Sequence, residues 1–145
     1  MAQGVIDIDR GYARIMANFA ALNDPKRLTV GVHQDAGAEM VLIALSNEFG
    51  TSTIPARSFI RATIARNKRR YLDALSKAVM GAVIDGDDYE GALQDLGEGV
   101  AQDIRDWMVA LDTPPNAPST IAQKGEDNPL VDSGALQDAI SAEVR

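Results

Sequence analysis

Residues 57–111 read RSFIRATIARNKRRYLDALSKAVMGAVIDGDDYEGALQDLGEGVAQDIRDWMVAL. Ile60, Ile64, Tyr71, Leu72, Leu75, Val79 and Val83 recur at helical steps, and the arginines and lysines fall mainly elsewhere around the cylinder. The spacing predicts a long amphipathic helix that starts near Ser58. Asp85-Gly86-Asp87 stops it. Tyr89, Leu93, Leu96, Val100, Ile104, Trp107 and Leu111 then trace a second helix, in which Gly97 and Gly99 each cost about 1 kcal/mol relative to alanine. Two long helices joined by so short a turn pack antiparallel. Their charges differ in sign. Arg57, Arg61, Arg66, Lys68, Arg69, Arg70 and Lys77 face only Asp73 in their stretch, whereas Asp85, Asp87, Asp88, Glu90, Asp95, Glu98, Asp103 and Asp106 are opposed by Arg105 alone. Antiparallel packing sets the basic helix beside the acidic one and cancels part of this dipole. The remainder can steer a second copy or an oppositely charged partner.

Upstream, residues 4–8 alternate apolar and polar as a short strand would, and Asp9 can cap the helix after it. Tyr12, Ile15, Met16, Phe19 and Leu22 predict that helix, amphipathic over 10–22 and ended by Asn23-Asp24-Pro25. Residues 27–33 alternate again, with Leu28, Val30 and Val32 on one face of a half-buried strand. After a turn at 34–37, residues 38–49 form another helix with Met40, Val41, Leu45 and Phe49 available for burial, and Gly50 falls where a left-handed cap belongs. Downstream, residues 112–129 hold Pro114, Pro115, Pro118 and Pro129. A segment this long is uncommon in a compact domain, and its prolines favour an extended arm over loose coil. Asp132 or Ser133 can cap a short helical turn through Leu136, and residues 140–144 alternate as a last strand. The expected fold is α+β: a small mixed or antiparallel sheet from 4–8, 27–33 and 139–144, covered by helices, with a long antiparallel helical pair and an extended Pro-rich arm. Residues 1–145 make one domain, and 112–129 are its arm.

Composition narrows the function. The 145 residues, 46% hydrophobic and 24% charged, suit one soluble domain with a core of its own. The absence of cysteine excludes a disulfide scaffold, a thiolate zinc site and a cysteine nucleophile. No apolar run approaches the ~20 residues of a membrane span, and MAQGVIDIDR lacks the basic and apolar parts of a signal peptide. A net charge of -7 argues against a global grip on nucleic acid.

The chemistry-bearing residues do not assemble into a catalytic motif. His33 is the sole histidine, at a strand end, with no cysteine or second histidine to share a metal. Glu39 and Glu48 lie on different faces of one helix and make no acid–base pair. Asp85, Asp87 and Asp88 lack the calcium-loop spacing. Ser133 has no evident base, and Gly97-Glu98-Gly99 sits inside a helix rather than after a strand. The run 66–70 reads as an exposed helix face. No enzyme, cofactor or metal is expected.

Two segments stand out. The first, Asn47-Glu48-Phe49-Gly50-Thr51-Ser52-Thr53-Ile54-Pro55-Ala56-Arg57-Ser58-Phe59-Ile60-Arg61, packs a helix end, a glycine stop, an extended proline turn and a helix start into a few residues, with Phe49, Ile54, Phe59 and Ile60 able to clamp the corner. The second runs Pro114-Pro115-Asn116, then Thr120-Ile121 and Lys124-Gly125, then Pro129-Leu130-Val131-Asp132-Ser133-Gly134. In this order they resemble the tail-component (virion-morphogenesis) family of tailed bacteriophages, over about residues 44–141. The family pattern has proline at Ser58 and threonine at Ser133; both exchanges keep the local capping physics.

The resemblance implies a structural virion protein at the head–tail junction (neck or tail completion), a homo-oligomer forming a ring of six by analogy, with other phage neck and tail proteins as partners, assembled in the host cytoplasm and without a membrane role. A tail terminator ring capping the tail tube is the alternative. Ring contacts need two different complementary patches. The expected ones are the corner (Phe49, Ile54, Pro55, Arg57, Phe59, Arg61) and the arm (Pro114, Pro115, Asn116, Pro118, Ile121, Lys124, Leu130), with Arg57 and Arg61 meeting carboxylates of a neighbouring subunit. DNA in the lumen is the weaker reading for Arg66, Lys68, Arg69 and Arg70. A nucleic-acid-binding regulator using helix 57–77 is the reading from another class, and a carboxylate-only enzyme a third.

Overall fold

A turn of four residues, 85–88, joins two long helices that pack against each other, and the rest of the chain is arranged around that hairpin. The computed structural model describes residues 10–24, 26–115, 118, 121, 122, 125, 130 and 134–145. In chain order the elements are α1 (Tyr12–Ala21), β1 (Leu28–Val32), α2 (Ala38–Phe49), α3 (Ile60–Ile84), α4 (Tyr89–Ala110), α5 (Ala135–Asp138) and β2 (Ile140–Val144). The fold is α+β, with a long α3/α4 pair and a two-stranded antiparallel sheet. The third strand expected at 4–8 and the cap at Asp9 lie outside the described residues.

The hairpin turn is set by its residues. The backbone N–H groups of Asp85, Gly86 and Asp87 all donate to the Gly81 carbonyl, and Gly86 takes a positive φ of 79°. Asp88 then caps α4, its Oδ1 accepting from the Gly91 N–H at 3.0 Å. Helix α4 is the middle of the molecule, touching α3 and both strands. Its Val100, Ala101, Ile104 and Met108 pack with Phe59, Ala44, Leu111, Leu130, Leu136 and Ile140 in one core. The expected charge pairing across the hairpin is present. Arg70 pairs with Asp103, which also accepts the Tyr71 hydroxyl at 2.6 Å, and Arg66 stacks on Trp107 at 4.1 Å. Burial and the bond to Asp103 push the Tyr71 phenol up to about 12.

Several expected burials are corrected. On α3, Ile64 and Leu72 are exposed, and Thr63 and Ala82 occupy the buried positions instead. Ile60, Tyr71, Leu75, Val79 and Val83 are half-buried, and the Thr63 hydroxyl is satisfied by the Phe59 carbonyl at 2.7 Å. On α1, Tyr12, Met16 and Phe19 are exposed, because the helix meets α3 through the face of Ile15, Asn18 and Leu22, with Asn18 Nδ2 donating to the Val83 carbonyl. On α2, Leu45 and Phe49 are exposed. Within 112–129, Pro118, Ile121 and Ala122 are helical and the Gly125 N–H donates to the Ile121 carbonyl, so the expected extended arm is corrected at those positions.

Strands β1 and β2 run antiparallel in the register Leu28↔Val144 to Val32↔Ile140. Arg27 and Arg145 extend the pairing by exchanging two backbone bonds. The sheet lies on α4 at Gly97, where an added Cβ would stand 2.7 Å from both the Ala142 Cβ and the Leu28 Cδ1. Gly97 is therefore a notch for the sheet, not simply a weak helical residue. Gly99 has nothing within 4 Å of that position. Gly97→Ala should destabilise by about 1–3 kcal/mol through overpacking, since the Ala142 methyl moves only with its strand. Gly99→Ala should stabilise by about 0.5–1 kcal/mol through helix propensity. Urea denaturation of the two variants checks the opposite signs.

Candidate functional site

The corner between α2 and α3 is built on one glycine and one carboxylate. Gly50 has φ 75°, and a Cβ there would lie 2.8 Å from the Ala56 backbone nitrogen. The chain then folds over Thr51, whose Oγ1 accepts from the N–H groups of Thr53 and Ile54 while its own N–H donates to the Ile54 carbonyl. This return brings Glu48, only 4% exposed, to the start of α3. Its Oε2 accepts from the N–H groups of Phe59 (2.8 Å) and Ile60 (2.9 Å), and its Oε1 from the Ser58 hydroxyl (2.8 Å), the Arg61 N–H (3.1 Å) and Arg61 Nε (2.9 Å). Arg61 also donates to the Glu48 carbonyl and lies 4.4 Å over the Phe49 ring. Burial alone would raise the carboxyl, but the Ile60 N–H, the Ser58 hydroxyl and Arg61 together hold it below the ordinary carboxylate range. The positive end of the α3 dipole favours the same charge.

Arg57 joins the corner to the second sequence segment. Its N–H donates to the Asn47 carbonyl, its Nε to the Pro114 carbonyl at 2.9 Å and its Nη2 to the Pro115 carbonyl at 2.8 Å. Prolines cannot donate, so a Pro-Pro step presents acceptors only, which suits a guanidinium. Of the two arginines expected to meet a neighbour's carboxylates, Arg57 is buried against prolyl carbonyls and Arg61, exposed, pairs with Glu48 of its own chain. Phe59 and Leu130, also expected at an interface, belong to the core. Phe49, Ile54, Pro55, Pro115 and Pro118 are exposed, and Pro114 and Ile121 are half-buried. Asn116 and Lys124 lie outside the described residues.

Beside the corner runs an apolar groove of about 160 Å³. Val41, Ala44, Leu45 and Phe49 of α2 form one wall, and Val32 and Ile60 the other. Phe49 is 59% exposed and Leu45 49%. The basic residues of α3 sit elsewhere. Lys68 and Arg69 are exposed, whereas Arg66 and Arg70 are engaged with Trp107 and Asp103. His33 ends β1 with Nδ1 at 2.9 Å from the Ser141 hydroxyl and Nε2 at 3.1 Å from the Thr29 hydroxyl. Asp35 and Glu143 come close enough to form a three-residue cluster with it. Both imidazole nitrogens face hydroxyls and Arg145 pairs with Glu143, although the buried Glu143 Oε2 accepts no hydrogen bond among the described residues. The role of Glu48 had no local signal in the sequence, because its partners lie 10–13 residues away across a folded-back turn. The surplus of apolar residues on α2 was the visible sign of the groove.

No family model, no curated protein and no solved structure matches the chain.

Glu48→Gln should lower stability by about 2–4 kcal/mol at neutral pH, because it sets a neutral amide against donors arranged for a carboxylate. A depressed folded-state value stabilises the protein fully above the unfolded carboxyl value of about 4.3, and that stability is lost as pH falls through the folded value. The gap between wild type and variant should therefore be constant above about pH 5.5 and shrink below it. Urea titrations across the acid limb measure it.

Proposed function

We propose that the chain is a structural subunit of the head–tail junction of a tailed bacteriophage, acting as a neck or tail-completion ring. The observation that carries this reading is the contact between the two segments on which the family resemblance rests. Arg57, within Ile54-Pro55-Ala56-Arg57, donates two hydrogen bonds to the carbonyls of Pro114-Pro115, 57 and 58 residues away. The similar residues thus form one built unit rather than two scattered coincidences. A rigid corner of this kind suits a protein that works by shape: Gly50 and the Glu48 carboxylate fix the angle between α2 and α3, and the apolar flank of α2 remains for another molecule. The exposed Lys68 and Arg69 give α3 a face that tolerates DNA in a central channel without requiring it for assembly.

Deleting the gene from its phage should leave filled heads and finished tails unjoined, and purified protein added to that lysate should restore infectious particles. Infectious particles formed without the protein would overturn the proposal.

A further inference from the structure

We propose that His33, Asp35 and Glu143 bind one divalent transition-metal ion, zinc foremost, which staples the end of the sheet to the turn before α2. Three separate parts of the chain meet there. The register Thr29↔Glu143 and Gly31↔Ser141 sets Thr29, Ser141 and Glu143 on one face of the ribbon, away from the face that Leu28 and Ala142 lay on α4. His33 follows β1 directly and its ring meets Thr29 and Ser141 on that face. Asp35 lies in the 3-10 turn Gln34–Ala36. One ligand atom from each of His33, Asp35 and Glu143 lies within 4.8 Å of the others.

Two further features of this cluster point to a cation. The first is the tautomer of the ring. The Thr29 hydroxyl donates its one proton to the Glu143 carbonyl at 3.4 Å, so toward His33 it accepts, and Nε2 at 3.1 Å carries the N–H. In the neutral ring Nδ1 is then a lone pair. It stands 3.7 Å from Glu143 Oε1, one acceptor beside another, with the Ser141 hydroxyl at 2.9 Å as its donor. Two ligands of a tetrahedral zinc ion, each about 2.1 Å from the metal, are about 3.4 Å apart, so this separation is near that of a shared ion. The bond from Nε2–H to Thr29 is the outer contact by which metal-bound imidazoles are oriented. The second feature is Glu143 Oε2, which is buried and accepts no hydrogen bond among the described residues. Arg145 lies beside it as an ion pair only, on a side chain 74% exposed that can turn into water. A metal supplies the missing partner of that oxygen.

The ligand set selects the ion. One imidazole nitrogen with two carboxylates suits zinc and its neighbours, whereas magnesium and calcium prefer oxygen alone. The chain has no cysteine, so no thiolate competes. The His33 and Glu143 side chains are 16% and 25% exposed, and the exposed Asp35 closes the mouth of the site with water in the fourth position. Binding ties residue 143 to residues 33 and 35, which are together only in the folded chain, and therefore stabilises the fold. The inference stands on the sheet end and not on the junction reading.

Full-length protein stripped with a chelator and dialysed should bind one zinc ion per chain in a calorimetric titration. Zinc should raise its melting temperature, and magnesium at the same concentration should leave it unchanged. Asp35→Asn, at an exposed position, should fold like wild type and bind zinc at least about tenfold more weakly, no less than the loss of an outer contact costs. His33→Gln should abolish binding. Because the chain has one histidine, the imidazole nitrogen resonances of wild type report directly: zinc should shift Nδ1 while Nε2 keeps its proton. That spectrum and Asp35→Asn carry the test even if His33→Gln fails to fold. No zinc binding at millimolar concentration, a tight stoichiometry other than one, undiminished binding in Asp35→Asn, or metal on Nε2 would overturn the site. None of these results bears on the junction reading, which the gene deletion tests separately.

Discussion

A carboxylate held out of water at the start of a long helix governs how this molecule is put together. Glu48 accepts three backbone N–H groups, a hydroxyl and an arginine, and every one of these donors belongs to residues 58–61. Those N–H groups have no partner inside the helix, so without Glu48 they would be left unmet beside the fully buried Phe59. The bond set fixes the direction of α3, and through the hairpin the position of α4. Since α4 carries the Gly97 notch on which the sheet rests, the same corner determines the placement of β1 and β2.

Much of this was legible in the sequence because it depends on local periodicity. Residues 38–49 and 140–144 form the elements that their spacing indicates, and the two long helices and their aspartate–glycine turn arise from the apolar steps and the breaker residues. The features that escaped depend on distant partners. Arg57 looks like a surface charge until Pro114 and Pro115 arrive beside it, and Gly97 looks like a defect until Ala142 fills the notch. Ile64 and Leu72 fit a helical stripe, yet they are exposed and Thr63 and Ala82 are buried, a shift of the contact line that apolar periodicity does not encode. Apolar periodicity identifies a face that is suited to burial; it does not say what covers it, and Met16 and Phe19 on α1 and Leu45 and Phe49 on α2 stay largely exposed.

The electrostatics obey the same division. The basic run on α3 and the acidic run on α4 are partly neutralised where the helices touch, through Arg70, Tyr71 and Asp103. Arg66 gives its charge to the Trp107 ring, which in turn donates to the Ser58 carbonyl at 3.3 Å. Half of the basic cluster thus braces the hairpin, and the other half, Lys68 and Arg69, lies at the surface. A protein with net charge -7 can in this way present a small cationic face without becoming a general nucleic-acid binder.

The pairing of Leu28 with Val144 has a bearing on timing. One partner emerges early in translation and the other more than a hundred residues later, so the ribbon is a late, non-local event, while the α3/α4 hairpin needs only neighbouring residues. Until that clasp shuts, Val32 cannot settle as a wall of the groove beside α2. The groove beside α2 is therefore complete only after residue 144 has been made, and a half-synthesised chain lacks its β1 wall.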